Sequence, residues 1–321
     1  MKRSLLALIV LLFLPQSLFA WNGAGHEVVA GIAWDNMTPK AQQKAIAVLK
    51  GAPADACLLD LFPNDSRPLR QREREFFMRA STWADVVRPN DKPEQKDTRA
   101  CVRFHRRDWH FINFFWEGTS GATGPNAPKD RTDIPVPEMN AVDRLTYFPS
   151  YVRCADGACG TTAAQRATTL AWILHLVGDI HQPLHTTARV TPATPKGDQG
   201  GNLFKLAPGE KAPGLHGYWD NILSTTMNLP EARSFAELDR AIKIITAENP
   251  RSAMITRLAP FRFEAWAREG FETTKRVVYP ATLQELQPPS DDYRRMAFAT
   301  AKPAVALAGY RLADLLNTTL R

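Results

Sequence analysis

An all-α fold is predicted: a single compact multi-helix domain with long disulfide-tethered loops. Three observations predict it. Apolar residues recur at helical spacing along most of the chain, strand-like alternation is scarce, and no repeat or low-complexity linker divides the sequence. The first twenty residues stand apart from that domain. Lys2 and Arg3 precede an apolar run from Leu5 to Leu14, then Pro15 and a small residue, Ala20. This is the pattern of a secretory signal peptide, and the run is shorter than the ~20 apolar residues of a membrane span. An uncleaved anchor is the alternative. Cleavage after Ala20 would leave a domain of residues 21–321, secreted or periplasmic, with Trp21 as its new amino terminus. No later segment is apolar for long enough to cross a membrane.

The elements follow in order. Residues 24–37 have helical spacing and end at Thr38-Pro39, where a Thr cap with Pro in the first turn starts a second helix. Residues 69–87 read as a charged amphipathic helix. Residues 161–182 begin with Thr caps and stop before Pro183, which cannot continue a helix. Further helices fit 216–227, 231–248, 251–278 and 290–317, the last with a kink expected at Pro303. Polar or Pro/Gly-rich loops fall at 88–101, 118–137 and 187–214. Loops of that length in a compact domain are usually functional or tethered.

The formal charge of +7 falls to +5 without Lys2 and Arg3. A mildly basic surface attracts polyanions such as nucleic acid, or anionic membranes, and is weak evidence alone. Cys57, Cys101, Cys154 and Cys159 form an even set in an exported chain, so disulfides are expected. Three pairings are possible. The short "CADGAC" loop favours Cys154–Cys159, leaving Cys57–Cys101 to tie down a polar loop; free thiols or a zinc site are the alternatives.

The chemistry concentrates in "HLVGDIHQPLH", 175–185. His175 and Asp179 are four residues apart and so share a helix face, and Pro183 turns the chain so that His185 can fold back. His216 and Asp220 in "HGYWD" repeat the spacing. A lone pair of this kind is more often a hydrogen-bonded core contact. Two pairs among Leu174, Leu176, Val177 and Ile180 would be costly to bury unless a metal ion compensated them. Asp85 in "STWADVVR", His110 in "DWHFINF" and His26, five residues after Trp21, are further candidate ligands. The Trp21 α-amino group and its own carbonyl oxygen could chelate in a five-membered ring, which gives signal cleavage a chemical consequence. His181 reads as structural, and His105 as a surface residue.

Together these motifs resemble the zinc-dependent single-strand-specific nucleases of S1/P1 type, which share the phospholipase C/nuclease fold. The resemblance covers essentially all of 21–321. It includes the N-terminal Trp with His five residues on, "WAD", "WHFIN", "HxxxDxHQPLH", "GGN", "HxxxWDN", "EAWAREG…VVY" and "AGYRLADLLN". It implies three zinc ions on nine residues. Asp85, His110, His175 and Asp179 would hold one. The Trp21 amino and carbonyl groups, His26 and a bridging Asp179 would hold its neighbour. His185, His216 and Asp220 would hold the third. The nitrogen and oxygen donors suit zinc, with Mn²⁺ or Fe²⁺ not separated by ligand type.

The resemblance further implies phosphodiester hydrolysis by a metal-activated water, with one zinc stabilising the departing 3′ oxygen. Single-stranded DNA and RNA would yield 5′-phosphorylated nucleotides, and 3′-nucleotides would be substrates of the same chemistry. Asp85 would orient the nucleophile, Arg88 and Asn221 would contact phosphate, and Phe111 would stack a base. Asn113 stands where the family has aspartate, which puts base preference in doubt, and Gly270 stands where it usually has serine. No stable protein partner and a monomer are expected. Two rivals remain. A zinc phospholipase C has its first His about ten residues after the Trp and a Glu where this chain has Asp220. A non-catalytic metal-binding protein has no need of Arg88 and Asn221.

Overall fold

The computed structural model describes residues 21–90, 97–154, 160–210 and 212–321, so the expected signal peptide and Cys159 lie outside the described residues. Eleven α-helices are found among them: α1 (Gly23–Asn36), α2 (Pro39–Leu49), α3 (Leu69–Ala80), α4 (Trp83–Val86), α5 (Ala141–Arg153), α6 (Ala163–Asp179), α7 (Leu215–Asp220), α8 (Ile222–Thr226), α9 (Phe235–Glu248), α10 (Phe263–Thr273) and α11 (Asp291–Thr319). The expected all-α domain is what they build. α1 is buried on every side from Ala24 to Trp34, enclosed by α3, α6, α9 and α11. Its closest approaches need glycine. A Cβ on Gly31 would lie 2.3 Å from Ile242 Cδ1, and one on Gly309 of α11 would lie 2.5 Å from Ile32 Cβ.

Local chemistry starts the helices where the sequence placed them. The Thr38 hydroxyl accepts from Ala41 N at 3.2 Å with Pro39 in the first turn, and Thr162 and Gln165 form a reciprocal capping box that starts α6. The C-terminal half of α6, Leu170 to Asp179, is wholly buried. It therefore carries its histidine and aspartate through the core, not along a surface.

Several expected helices are broken, and the breaks have reasons. The 69–87 segment divides into α3 and α4, because Ser81 Oγ and Thr82 Oγ1 bond back to Met78 O (2.6 Å) and Arg79 O (2.9 Å). The 251–278 segment is a 3₁₀ turn (Arg251–Arg257), α10 and a π-turn (Thr274–Val278), separated at Pro260 and at Phe261, whose φ is +61°. α11, by contrast, continues as one helix through Pro303. Two elements were not foreseen. One is α5, started by an Asn140/Asp143 capping box. The other is a small sheet in the order β2-β1-β3, formed by β1 (Phe114–Glu117), β2 (Lys129–Asp130) and β3 (Thr187–Arg189).

That sheet matters for the site. β1 runs parallel to β3 and pairs Phe114 with Thr187, so the segments that follow His110 and His185 lie side by side. The Cys57–Cys101 disulfide forms as expected, with Cα atoms 5.7 Å apart, and ties the 54–61 loop to the segment that leads to His110. Cys154 is also disulfide-bonded. Among the described residues no helix is long and apolar enough to cross a membrane.

Candidate metal centre

Eight of the nine expected ligand residues present side-chain donors in three adjoining groups. His26, His175 and Asp179 form one, Asp85, His110 and His175 a second, and His185, His216 and Asp220 a third; within each group the donor atoms lie within 4.8 Å of one another. Asp179 sits between the first two. Its Oδ1 is 3.3 Å from His26 Nε2, while its Oδ2 is 3.2 Å from His110 Nδ1 and 3.3 Å from His175 Nε2. One carboxylate thus turns different oxygens to His26 and to the His110/His175 pair, and could serve both groups. In the third group, Asp220 offers Oδ1 to His185 (3.8 Å) and Oδ2 to His216 (3.6 Å).

Backbone carbonyls fix which ring nitrogens face inward. His175 Nδ1 donates to Ser81 O, His185 Nδ1 to His110 O and His216 Nδ1 to Gly200 O, each at 2.7 Å. A carbonyl can only accept, so each of these rings carries its proton on Nδ1 and turns a bare Nε2 into the cluster. His185 Nε2 and His216 Nε2 then stand 3.0 Å apart, lone pair to lone pair. Two nitrogens on one tetrahedral zinc, each ~2.05 Å from it, would be about 3.3 Å apart. The pairing is repulsive alone and natural around a cation.

Burial gives the same answer. His26, His175, Asp179 and Asp220 are 0% exposed. His26 Nδ1 and Nε2, both oxygens of Asp85 and of Asp179, and Asp220 Oδ2 have no hydrogen-bond partner. Burial, aided by the neighbouring histidines, drives the His26 and His110 imidazoles well below their ordinary range and takes His175 down to about 3. Burial raises Asp179 and Asp220 far above the carboxylate range and pushes Asp85 up to about 7 against the pull of the Arg88 guanidinium. Orphaned buried donors of mixed N and O type, all strained toward neutrality, fit a set of divalent cations. A bound cation would hold the carboxylates ionised and the imidazoles neutral.

The chain supports the cluster with residues that sequence reading missed. Gln182 donates from Nε2 to Asp220 Oδ1 (2.7 Å) while its Oε1 accepts from Leu184 N (2.6 Å), so the residue between His181 and Pro183 clasps a distant ligand. Its position inside the ligand motif was the available signal. Gly178 leaves room for the His26 ring, since a Cβ there would lie 2.7 Å from His26 Nδ1. Gly200 holds φ +61° close to Leu184 O so that its carbonyl reaches His216. Its loop is held by Asp198, which accepts from Tyr279 Oη at 2.6 Å. Ser81 O is free for His175 because the helix breaks there: Asp85 N bonds to Thr82 O instead.

The other expected residues are distributed as follows. Trp21 is wholly buried, and Asn22 N donates to Asp220 O at 2.9 Å, which docks the segment before α1 at the third group. Arg88 lies close enough to bear on Asp85 and His110. Asn221 is held by Asn22 Nδ2 (3.0 Å) and by its own bond to Gly217 O (2.8 Å). Phe111 is half-buried and belongs to no aromatic pair or core cluster among the described residues. Asn113 is half-buried. Gly270 faces Thr186, whose Oγ1 lies 2.8 Å from where a Cβ would stand; the space a serine side chain would need is taken. His181 is structural: its Nδ1 donates to Val177 O and its Nε2 accepts from Arg311. His105 is not simply a surface residue; it is half-buried, with its ring 6.2 Å from that of His110.

A helical domain enclosing three adjoining His/Asp groups, each able to hold a metal ion, is the class that the fold and site define. The family model described as S1/P1 Nuclease matches residues 21–321, and the chain belongs to that family. Nuclease S1 of Aspergillus oryzae (strain ATCC 42149 / RIB 40) is 24% identical over 235 residues, which cover 68% of this chain and 58% of that relative. The match thus spans less than two thirds of the relative's length.

Proposed function

We propose that this chain is an exported, zinc-dependent endonuclease that cleaves single-stranded DNA and RNA to 5′-phosphorylated nucleotides and removes phosphate from 3′-nucleotides. The observation that carries this reading is the convergence of the three donor groups on Asp179 and Asp220, within a chain of the S1/P1 family. Three zinc ions bound there would neutralise phosphate charge and bring a water's pKa near neutrality. Trp21 would complete the ligand set through its amine and carbonyl once the first twenty residues are removed. The family match beginning at residue 21 supports that boundary.

The chain's own residues do the rest. Asp85, whose two carboxylate oxygens are buried without partners near Arg88, would accept a hydrogen bond from the attacking water and aim it at phosphorus. Arg88 offers a fork of N–H donors to the non-bridging phosphate oxygens, and Asn221, held by Asn22 and Gly217, would contact the same phosphate. Phe111 would stack the base, and Asn113 would meet the base edge as both donor and acceptor. Near-complete burial of the ligands supports single-strand selectivity, because a paired duplex cannot carry its backbone that deep. The test is hydrolysis by zinc-loaded protein beginning at Trp21, on matched single- and double-stranded oligonucleotides, 3′-AMP and phosphatidylcholine. Rapid loss of the single strand and of 3′-phosphate is expected. Equal rates on duplex, or turnover of the lipid alone, would overturn the reading.

A further inference from the structure

A second cavity lies one aromatic ring away from the metal centre. It encloses about 570 Å³, within the range of small-ligand sites. It sits between α5, the start of α6 and the segment that leads to His110. Trp109 and Trp172 separate it from the centre. Their rings meet edge-on at 5.0 Å, and Trp172 touches the His110 ring at 5.2 Å. The cavity is therefore joined to the ligand shell by direct contact.

Its chemistry is cationic and aromatic. The Arg144 guanidinium lies over the Trp109 ring at 5.1 Å and that of Arg106 at 5.7 Å. Among the described residues Arg106 bonds to the carbonyls of Arg103 and His105, and Arg144 to the Met139 sulfur. Neither meets a carboxylate among the described residues, whereas Arg67, Arg74, Arg131, Arg251 and Arg294 are all ion-paired. The described lining contains no acidic residue. Arg144 Nε and Thr161 Oγ1 are buried there without hydrogen-bond partners. Tyr151 stands at the rim, 45% exposed. Unpaired guanidiniums, unsatisfied donors and an exposed ring are what a phosphate with an attached base would satisfy.

We infer that this cavity is a second nucleotide subsite, which holds a phosphate between Arg106 and Arg144 and a base against Tyr151, so that a strand lying across the metal centre is gripped beyond the scissile bond. The inference rests on the nuclease reading above, and deepens it by making affinity depend on strand length.

The test compares zinc-loaded wild type with Arg106→Gln and Arg144→Gln on a single-stranded oligonucleotide and on 3′-AMP, which is too small to reach both sites. For the oligonucleotide each variant should raise KM about tenfold, the loss of one charge-assisted hydrogen bond. It should also lower the slope of log affinity against log salt by about 0.7, one phosphate contact on a single strand. Kinetics on 3′-AMP should not move. Unchanged KM for the oligonucleotide, or equal losses on both substrates, would overturn the subsite. Arg106 is exposed, so its variant carries the test even if Arg144→Gln folds poorly. Anisotropy with a phosphorothioate strand reads the same contacts as Kd without turnover. A wild type that binds the strand tightly but cleaves nothing would refute the nuclease reading and leave the subsite to be judged by the variants' Kd.

Discussion

Gly178 makes the sharpest link between packing and the metal centre. In an exposed helix, glycine to alanine gains up to ~1 kcal/mol from propensity. Here the added methyl would stand 2.7 Å from His26 Nδ1 and 2.9 Å from its Cε1, against the 3.4 Å at which ordinary contact begins. The His26 ring must retreat by about 0.7 Å, the difference of those distances, yet it is fully buried and stacked at 4.0 Å on His175. Overpacking of this kind costs roughly 1–3 kcal/mol. Metal–ligand distances tolerate only about ±0.2 Å, so the ring cannot both clear the methyl and keep its ligand position. Gly178→Ala should therefore lose the metal proposed to bind at His26, and misplacement on this scale should lower kcat about a hundredfold. Metal content by mass spectrometry and oligonucleotide hydrolysis measure both. A variant with full metal content and wild-type kcat would refute the reasoning.

Other outcomes follow from the same geometry. Chelation should lower the melting temperature, because the orphaned carboxylates of Asp85, Asp179 and Asp220 lose their cations; each ion present at a hundred times its Kd contributes about 2.7 kcal/mol. Calorimetry with and without chelator reads this, and an unchanged transition would count against a metal in the buried cluster. Gly270→Ser should cost roughly 1–3 kcal/mol by collision with Thr186, and Thr186→Ala on that background should recover most of it. Urea unfolding of the two variants decides whether Thr186 is the reason for glycine there. Loss of the Cys57–Cys101 disulfide, which spans 44 residues, should cost up to about 4 kcal/mol on the chain-entropy view. A Cys57→Ser/Cys101→Ser protein with unaltered stability would remove that tether's role.

Much of this was legible in the sequence because it depends on short-range rules. Four-residue spacing brought His175 to Asp179 and His216 to Asp220, and Thr38-Pro39 and Pro183 marked real helix boundaries. What stayed hidden depends on partners far along the chain. α5 has Pro149 in its interior, which argues against a helix, although its Asn140/Asp143 box was readable. The break between α3 and α4 comes from side chains that bond back to the backbone, and its purpose is visible only when Ser81 O meets His175, 94 residues away. The pairing of β1 with β3 joins strands too short for alternation to show. Gln182 reads as a polar residue near a turn until Asp220 is placed against it.

Metal counting on zinc-loaded protein whose first residue is confirmed as Trp21 tests the central claim most directly. Three zinc ions per chain, with one lost when residues 1–20 are retained and Trp21 has no free amine, is the expected result. A single ion per chain, or undiminished phosphodiester hydrolysis after every ion has been stripped, would contradict it.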